Sequence, residues 1–446
     1  MNAKPSTTAA TPPGPAPSLP RPIRVAASLI LLRDGADGME VLLLRRAEKA
    51  DDQNSGASVF PGGVVDAHDR RLHLMCKGLD DAAASARLGL PDGGLDYYAA
   101  AVRECFEEAG VLFASDAGDR LVELGGLPPG RLESMRHAAE QGTDALLAMC
   151  EAQGWRLAMD RLAYFSHWLT PPGMPRRFDT RFFIAQMPPG QAVKPDGRET
   201  VAHMWLKPAE AADPRRGLKL MNVTRRTLEQ LAGFGSAADC MAHARALTRI
   251  VLNMPRLADG PAGRRAVNID EAAYEEIGHL DPEGRGHAHY ALEPGLVTRL
   301  SARVVRVAGA ADSHHGYFVG GEDGHWALID PLPHGLAQNA APGRVKWLLW
   351  TGAGTQPPAA SLEALRSAWP DAAALWPQPG DALRLAGATL HVQEPGPAGR
   401  GGPARQFLLT EERMLFSGRA AAHAAHATGE AEWIAPASGF IYRAPR

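Results

Sequence analysis

Apolar and polar positions divide the chain into two element-rich stretches with a polar interval between them. Residues 23–32 and 39–44 are rich in Val, Ile and Leu, and the turn-like 33–38 between them predicts a β-hairpin. Residues 58–66 read as a short apolar strand broken at Pro61, Gly62 and Gly63. Residues 70–95 look like an insertion, partly helical and partly Gly-rich. A helix is predicted next. Asp96 is its N-cap, and Tyr98, Ala101, Val102, Cys105 and Ala109 recur at helical spacing. Gly110 stands where a glycine ends a helix. Further on, 131–152 is helical, 162–169, 180–186 and 201–206 are strand-like, and helices return at 224–232 and, capped by Ser236, at 237–252. Residues 253–287 are polar with little periodicity and read as a linker. From 288 strands dominate, at 302–307, 316–319, 326–329, 345–350, 389–392, 406–409 and 414–416, with one helix at 361–369.

At about 150 residues per domain, 446 residues suggest two or three domains. The net charge of −3 excludes a protein that coats nucleic acid with positive potential, so no nucleic-acid partner is expected. No run approaches the ~18 apolar residues of a membrane span, so no membrane partner is expected either. Cys76, Cys105, Cys150 and Cys240 are scattered without CxxC spacing, which fits a reducing, cytoplasmic location. Residues 1–21, rich in Ala, Pro, Ser and Thr without an apolar core, read as a disordered tail and not a secretory signal.

The chemistry concentrates at 103–111. Glu104, Glu107 and Glu108 stand at i, i+3 and i+4, so three carboxylates share one helix face. They repel unless a cation sits among them, and hard oxygen donors in that number suit Mg²⁺ or Mn²⁺. Arg103 can orient one of them through a bidentate pair. The bland alternative is a solvated acidic helix face.

The string Arg103, Glu104, Cys105, Glu107, Glu108, Gly110 and Val111 resembles the Nudix hydrolase box, whose core is R-E-U-x-E-E-x-G-U with U apolar. Phe60, Pro61, Gly62 and Gly63 resemble the loop that opens it. The family has a Glu six residues after that Gly and seven residues between Glu and Arg. Here Asp69 stands at the Glu position, and residues 70–102 (102 − 69 = 33 of them) separate it from Arg103. An ungapped register would start at Gly89 and put Leu95 at the Glu position. Gly63 is preferred because Phe-Pro-Gly-Gly is the more specific match.

A long insertion in the box resembles the coenzyme A and acyl-coenzyme A diphosphatases of the nucleoside diphosphate-linked moiety X motif 19 type. Residues 41–47, 56–63, 168–172 and 177–183 resemble that subfamily too, although Asp52 stands where its coenzyme A signature has Arg. The resemblance covers residues 22–252. It implies an α/β class chain with a Nudix α/β/α sandwich and mixed sheet. The activity it implies is hydrolysis of a small nucleoside diphosphate-linked substrate, coenzyme A or an acyl-coenzyme A. Gly62, Glu104, Glu107 and Glu108 would hold Mg²⁺ or Mn²⁺, and Glu104 could also be the general base. Asp69 would support the site, and Glu199 is either a second base or a solvated loop residue. Arg46, Arg176, Arg177 and Arg181 are candidates for gripping substrate phosphates, against a bland reading as surface arginines.

Residues 288–446 resemble a metallo-β-lactamase fold of the glyoxalase-II-like type, through 316–320, 326–331, 345–351 and 407–418 in the family's order. Its metal ligands are missing: 352–357 hold Gly, Ala, Gly, Thr, Gln and Pro, Arg419 replaces the bridging Asp, and no G-H loop survives at 395–400. No zinc is expected, and His314, His315, His423 and His426 are not at ligand spacing. The resemblance implies a degenerate αββα domain that covers or dimerises the Nudix part. Two rival readings are a catalytically inactive nucleotide sensor or scaffold and a zinc-dependent hydrolase in the C-terminal half.

Overall fold

The computed structural model describes residues 22–50, 54–128, 130–310, 313–332, 338–353, 359–394, 404–418 and 430–445. The expected tail 1–21, Asp52, the 354–357 and 395–400 loops, Arg419, His423 and His426 lie outside the described residues. The chain separates into two compact units. One runs to Thr170 and resumes over Met174–Leu252; the other holds Pro171–Gly173 and Asn253–Arg446.

The first unit begins with strands β1 (Arg24–Gly35), β2 (Gly38–Arg46), β3 (Ser58–Val59) and β4 (Gly62–Val64). The insertion is ordered: a 3₁₀ helix (Ala67–Met75), β5 (Cys76–Lys77) and α1 (Asp81–Leu88). Then come α2 (Gly94–Ala109), β6 (Ala114–Ser115), α3 (Arg131–Ala139), α4 (Thr143–Gln153) and β7 (Arg156–Ala158). The unit closes with β8 (Ala163–Leu169), β9 (Phe178–Gln186), β10 (Thr200–Leu206), α5 (Pro208–Ala212), α6 (Asn222–Leu231) and α7 (Ala237–Ala246).

The central sheet runs β10-β2-β1-β9-β8, with β3 on β2 and β4 on β1. It is mixed: β1 and β9 are parallel, with Ala26 opposite Thr180 and Ser28 opposite Phe182, while the β1–β2 hairpin is antiparallel. Strand alternation sorts the side chains to two faces. Ala27, Leu29 and Leu31 pack with Tyr98, Val102, Cys105 and Phe106 of α2. Ile30 and Leu32 pack with Leu228 and Leu231 of α6 and Cys240 of α7. The sheet therefore carries helices on both faces.

Three expectations shift. The N-cap of α2 is Gly93, not Asp96. The chain can enter the helix early because the Asp81 carboxylate accepts from Gly93 N at 3.0 Å and Leu95 N at 2.9 Å, supplying the cap from another element. The helical stretch 131–152 breaks at Gly142, whose φ is +131°. The last predicted helix stops at Ala246: its buried positions end at Ala244, and Leu247 turns to extended backbone, so the apolar 247–252 does not continue it.

In the second unit, residues 253–287 are not a linker. Arg256–Ala258 pairs with Arg265–Val267, a helix spans Tyr274–Leu280, and Ala258, Val267, Ala273, Ile277 and Ala288 form a small buried cluster. Turns between these small residues hide any period in the sequence. Two β-sheets follow. The first orders Val297–Arg299, Val304–Val307, Gly316–Gly320, His325–Ile329, Arg344–Leu349 and Ala373–Ala374; the second, Ala382–Leu385, Ala388–Gln393, Ala404–Leu409, Met414–Gly418, Trp433–Pro436 and Tyr442–Arg443. They share a core in which Val304, Tyr317 and Ile329 meet Leu390, Phe407 and Phe416. A fully buried Arg306 joins Glu276 through two hydrogen bonds of 2.6 and 2.7 Å, and Glu276 also accepts from Ile441 N. His315 is buried and Nδ1 accepts from Gly309 N at 3.1 Å, which leaves its other nitrogen to donate to Gly439 O.

Candidate active site

The acidic face of α2 is set by its apolar one. Val102, Cys105, Phe106 and Ala109 are buried in the core, so Glu104 and Glu107 turn away from it, toward β4. Glu108 is nearly as buried as the core residues. The last turn of α2 is braced from outside: Arg136 donates to Glu107 O (2.6 Å), Thr200 Oγ1 to Glu108 O (3.0 Å) and Lys194 N to Ala109 O (2.8 Å). These groups satisfy carbonyls that a helix end otherwise leaves unpaired.

The glycine loop lies against this turn. Gly62 N donates to Glu108 Oε2 at 3.0 Å. A Cβ on Gly62, at φ +155°, would stand 2.5 Å from Ala27 O, and one on Gly63 would stand 2.4 Å from Glu104 Oε1. Only glycine permits that approach.

Arg103 organises the cluster. Its Nε and Nη2 donate to Asp69 at 2.7 and 3.1 Å, its Nη1 to Glu104 (2.8 Å) and Glu107 (3.3 Å), and Nη2 also to Val64 O (3.2 Å). Asp69 is fully buried and closes a capping box with Asp66 at the start of the 3₁₀ helix. The structure thus brings Asp69 to Arg103 across the intervening insertion. Burial works against the Arg103 charge, yet the Asp69 hydrogen bonds and the charges of Glu104, Asp69 and Glu107 hold its pKa above the ordinary value.

The carboxylates bind protons unusually well. Burial, reinforced by the Glu104 charge, pushes Glu107 up to about 7 and Glu108 up to about 8. Burial also raises Glu104, with Arg103 opposing it. Among the described residues, no three His, Cys, Asp or Glu side chains are gathered as a metal cage. Arg103 draws Glu104 and Glu107 to itself, while Gly62 holds Glu108. The donor chemistry still fits a hard divalent cation: once ionised, the three carboxylates carry more negative charge than one guanidinium, already shared with Asp69, can offset.

Gly62, Gly63, Glu104, Glu107 and Glu108 line a cleft of ≈ 1020 Å³. Of the four arginines expected to grip phosphates, Arg46 and Arg176 line it, and Arg177 and Arg181 are not among its lining residues. Strand alternation explains Arg181: Thr180 and Phe182 face the cleft, so Arg181 points to the other face. There it is buried, bonds Asp179 at 3.0 Å and lies over the Tyr97 ring. Arg177 is tied to Thr170 O at 2.9 Å.

Glu199 lines the cleft and is exposed, and its charge contributes to raising Glu104 and Glu108. Arg198 and Glu140, which sequence reasoning did not single out, also line it. The Asp196–Gly197 turn was the available signal. Asp196 accepts from Arg198 N, from Glu199 N (2.6 Å) and from Thr200 Oγ1 (2.8 Å), so the loop presents both charged side chains at the rim.

Comparison with known proteins bears on this half. Residues 22–131 match the NUDIX domain model and residues 79–219 match the NUDT19 Nudix domain model. The chain is 30% identical over 213 residues to acyl-coenzyme A diphosphatase NUDT19 of Xenopus laevis, which is 41% of this chain and 56% of the relative. It is 34% identical over 210 residues to the protein of the same name in Homo sapiens, 40% of this chain and 56% of the relative. The chain therefore spans little more than half the length of these relatives. A NUDIX hydrolase structure from Alicyclobacillus acidocaldarius aligns with 28% identity and a TM-score of 0.42, covering 50% of this chain and 96% of that one. On the two domain-model matches, residues 22–219 carry a Nudix domain.

Proposed function

We propose that the protein is a divalent-metal-dependent diphosphohydrolase that cleaves the P–O–P bond of a nucleoside diphosphate-linked substrate, with coenzyme A or an acyl-coenzyme A as the substrate class. The observation that carries this reading is the set of three glutamates on one helix face in an open cleft, with Glu108 bonded to Gly62 and Glu104 against Gly63. The substrate class is supported by the relatives named acyl-coenzyme A diphosphatase.

Glu104, Glu107 and Glu108, with the Gly62 carbonyl, would hold Mg²⁺ or Mn²⁺, which supplies charge neutralisation for the diphosphate and acidifies a water. Arg103, fixed by Asp69, orients Glu104 and Glu107, which would share their charge between it and the cation. Arg46 and Arg176 grip the phosphates from the cleft wall. Glu104 accepts the proton of the attacking water, and Glu199 stands in the same cleft as the alternative acceptor. For the second unit we propose a metallo-β-lactamase-like fold without its metal ligands, in a structural role. Its two sheets with a shared core support this, as does His315, whose ring nitrogens are taken by backbone groups. The four free cysteines fit a reducing, cytoplasmic location.

The test is incubation of the full chain with Mg²⁺ or Mn²⁺ and a panel of coenzyme A, ADP-ribose, NADH and dinucleoside polyphosphates, followed by product separation. Glu107→Gln and Glu108→Gln should each lower turnover at least about 100-fold. Unchanged turnover in both sinks the metal assignment, and nucleotide binding without any turnover favours a sensor.

A further inference from the structure

We infer that Met174, Phe178, Met221 and Val223 form the wall of the cleft that reads the length of the substrate's apolar arm. The inference rests on reading the cleft as a coenzyme A diphosphatase site. All four side chains line the cleft and all are only partly buried, so apolar surface is left facing it. Phe182, on the same face of β9 as Phe178, is buried edge-on to Phe60 at 6.4 Å and closes the base beneath them.

Sheet order gives the distances. Gly62 on β4 faces Ser28 on β1, and Ser28 faces Phe182 on β9. Two strand spacings put Phe182 about 10 Å from the glycine loop, and Phe178, four residues away along β9, is displaced by about 13 Å more along the strand. The base at Phe182 therefore stands a short reach from the glycine loop, and Phe178 on the wall lies farther out along β9.

A diphosphate has no use for such a surface. Its negative oxygens would be served by Arg46, Arg176 and a cation held by the glutamates, and exposed apolar area beside them lowers no barrier for hydrolysis. The volume, ≈ 1020 Å³, is at the top of the range for small-molecule pockets, about 300–1,000 Å³. It holds more than the scissile group. Two of the four wall residues are methionines, whose unbranched, polarisable side chains repack around chains of different length. An acyl chain is the occupant with that chemistry. The competing occupant, a nucleobase stacked on Phe178, is an outcome of the test.

The full-length protein is assayed with Mg²⁺ against coenzyme A and its acetyl, butanoyl, hexanoyl and octanoyl thioesters. Binding of the same series is followed by calorimetry in EDTA, so that the result does not depend on turnover. Affinity and kcat/KM should rise with chain length, by at most about fourfold per methylene buried. Met174→Gln and Met221→Gln should each flatten that slope relative to coenzyme A itself. A flat series in the unaltered protein overturns the inference. So does a Phe178→Ala variant that weakens every member, and ADP-ribose, by the same factor, which would mark a base platform. Chain-length-dependent binding without turnover leaves the wall standing and sinks the catalytic reading, whereas turnover without chain-length dependence does the reverse.

Discussion

Replacing Asp69 by Asn keeps the shape of the side chain and removes its charge. Asp69 is fully buried, as is Arg103 nearly, so solvent does not screen the pair. Removing one partner of a buried ion pair costs about 3–5 kcal/mol. The lower end applies, because Arg103 keeps Glu104 at 2.8 Å, Glu107 at 3.3 Å and Val64 O at 3.2 Å. The Asn amide can still accept from Arg103 but cannot match the charge-assisted bonds, and the Asp66 N–H contact at 2.8 Å weakens with it. For a unit of this size, ~3 kcal/mol is roughly 6–12 °C of melting temperature. Scanning calorimetry reads it, with attention to which transition moves, since the two units can melt separately. A functional consequence follows. Released from Asp69, Arg103 leans further onto Glu104 and Glu107 and competes with the cation, so the Mn²⁺ concentration giving half-maximal turnover should rise. A double-mutant cycle of Asp69→Asn with Arg103→Met should show coupling of at least about 1.5 kcal/mol. Additivity within ~0.5 kcal/mol, or an unchanged melting temperature for Asp69→Asn, refutes the argument.

Gly62→Ala places a Cβ against Ala27 O and Ser28 Cα, backbone atoms that cannot swing aside, and should cost about 2–3 kcal/mol with loss of turnover; thermal melting alongside the assay checks both. Glu276→Ala leaves Arg306 buried and unpaired and should destabilise the second unit by about 3–5 kcal/mol, while the double change to Glu276→Leu and Arg306→Met should recover most of it in urea titration. Burial, with the Arg306 charge, holds His315 down to about 4 from an ordinary 6.5. Its stability contribution is thus complete above about pH 6.5 and is lost as pH falls toward 4. At most about 3 kcal/mol is involved, and His315→Gln should flatten that limb of a pH–stability curve.

Much of the first unit was legible because its elements carry strong periods. The β1–β2 hairpin, α2 and its closing Gly110, and strands β8 to β10 fall close to where alternation and helical spacing put them. The three glutamates were legible for the same reason, since one helix face holds them. Tertiary partners were not legible. Asp81 capping α2 from α1, Arg136 reaching the end of α2, and Asp69 meeting Arg103 across the insertion are contacts that no local pattern encodes. Arg181 shows a different limit. Its residue type suggested phosphate binding, but the parity of its position on β9 assigns it to the face of the sheet that α2 covers, over Tyr97.

The Asp69–Arg103 contact also acts as the clasp of a loop. Everything from residue 70 to residue 102 is tethered at both ends beside the glutamates, and it packs its own apolar side chains, Leu72, Met75, Leu79, Ala84 and Leu88, into the core of the unit. Loop-closure entropy grows slowly, by about 0.6 kcal/mol for each doubling of length. Closure of the loop therefore costs little at any length, and what holds the stretch is the apolar surface it buries, while the clasp keeps the glutamates in register. The interrupted box is thus closed twice, by its end residues beside the glutamates and by its apolar side chains in the core.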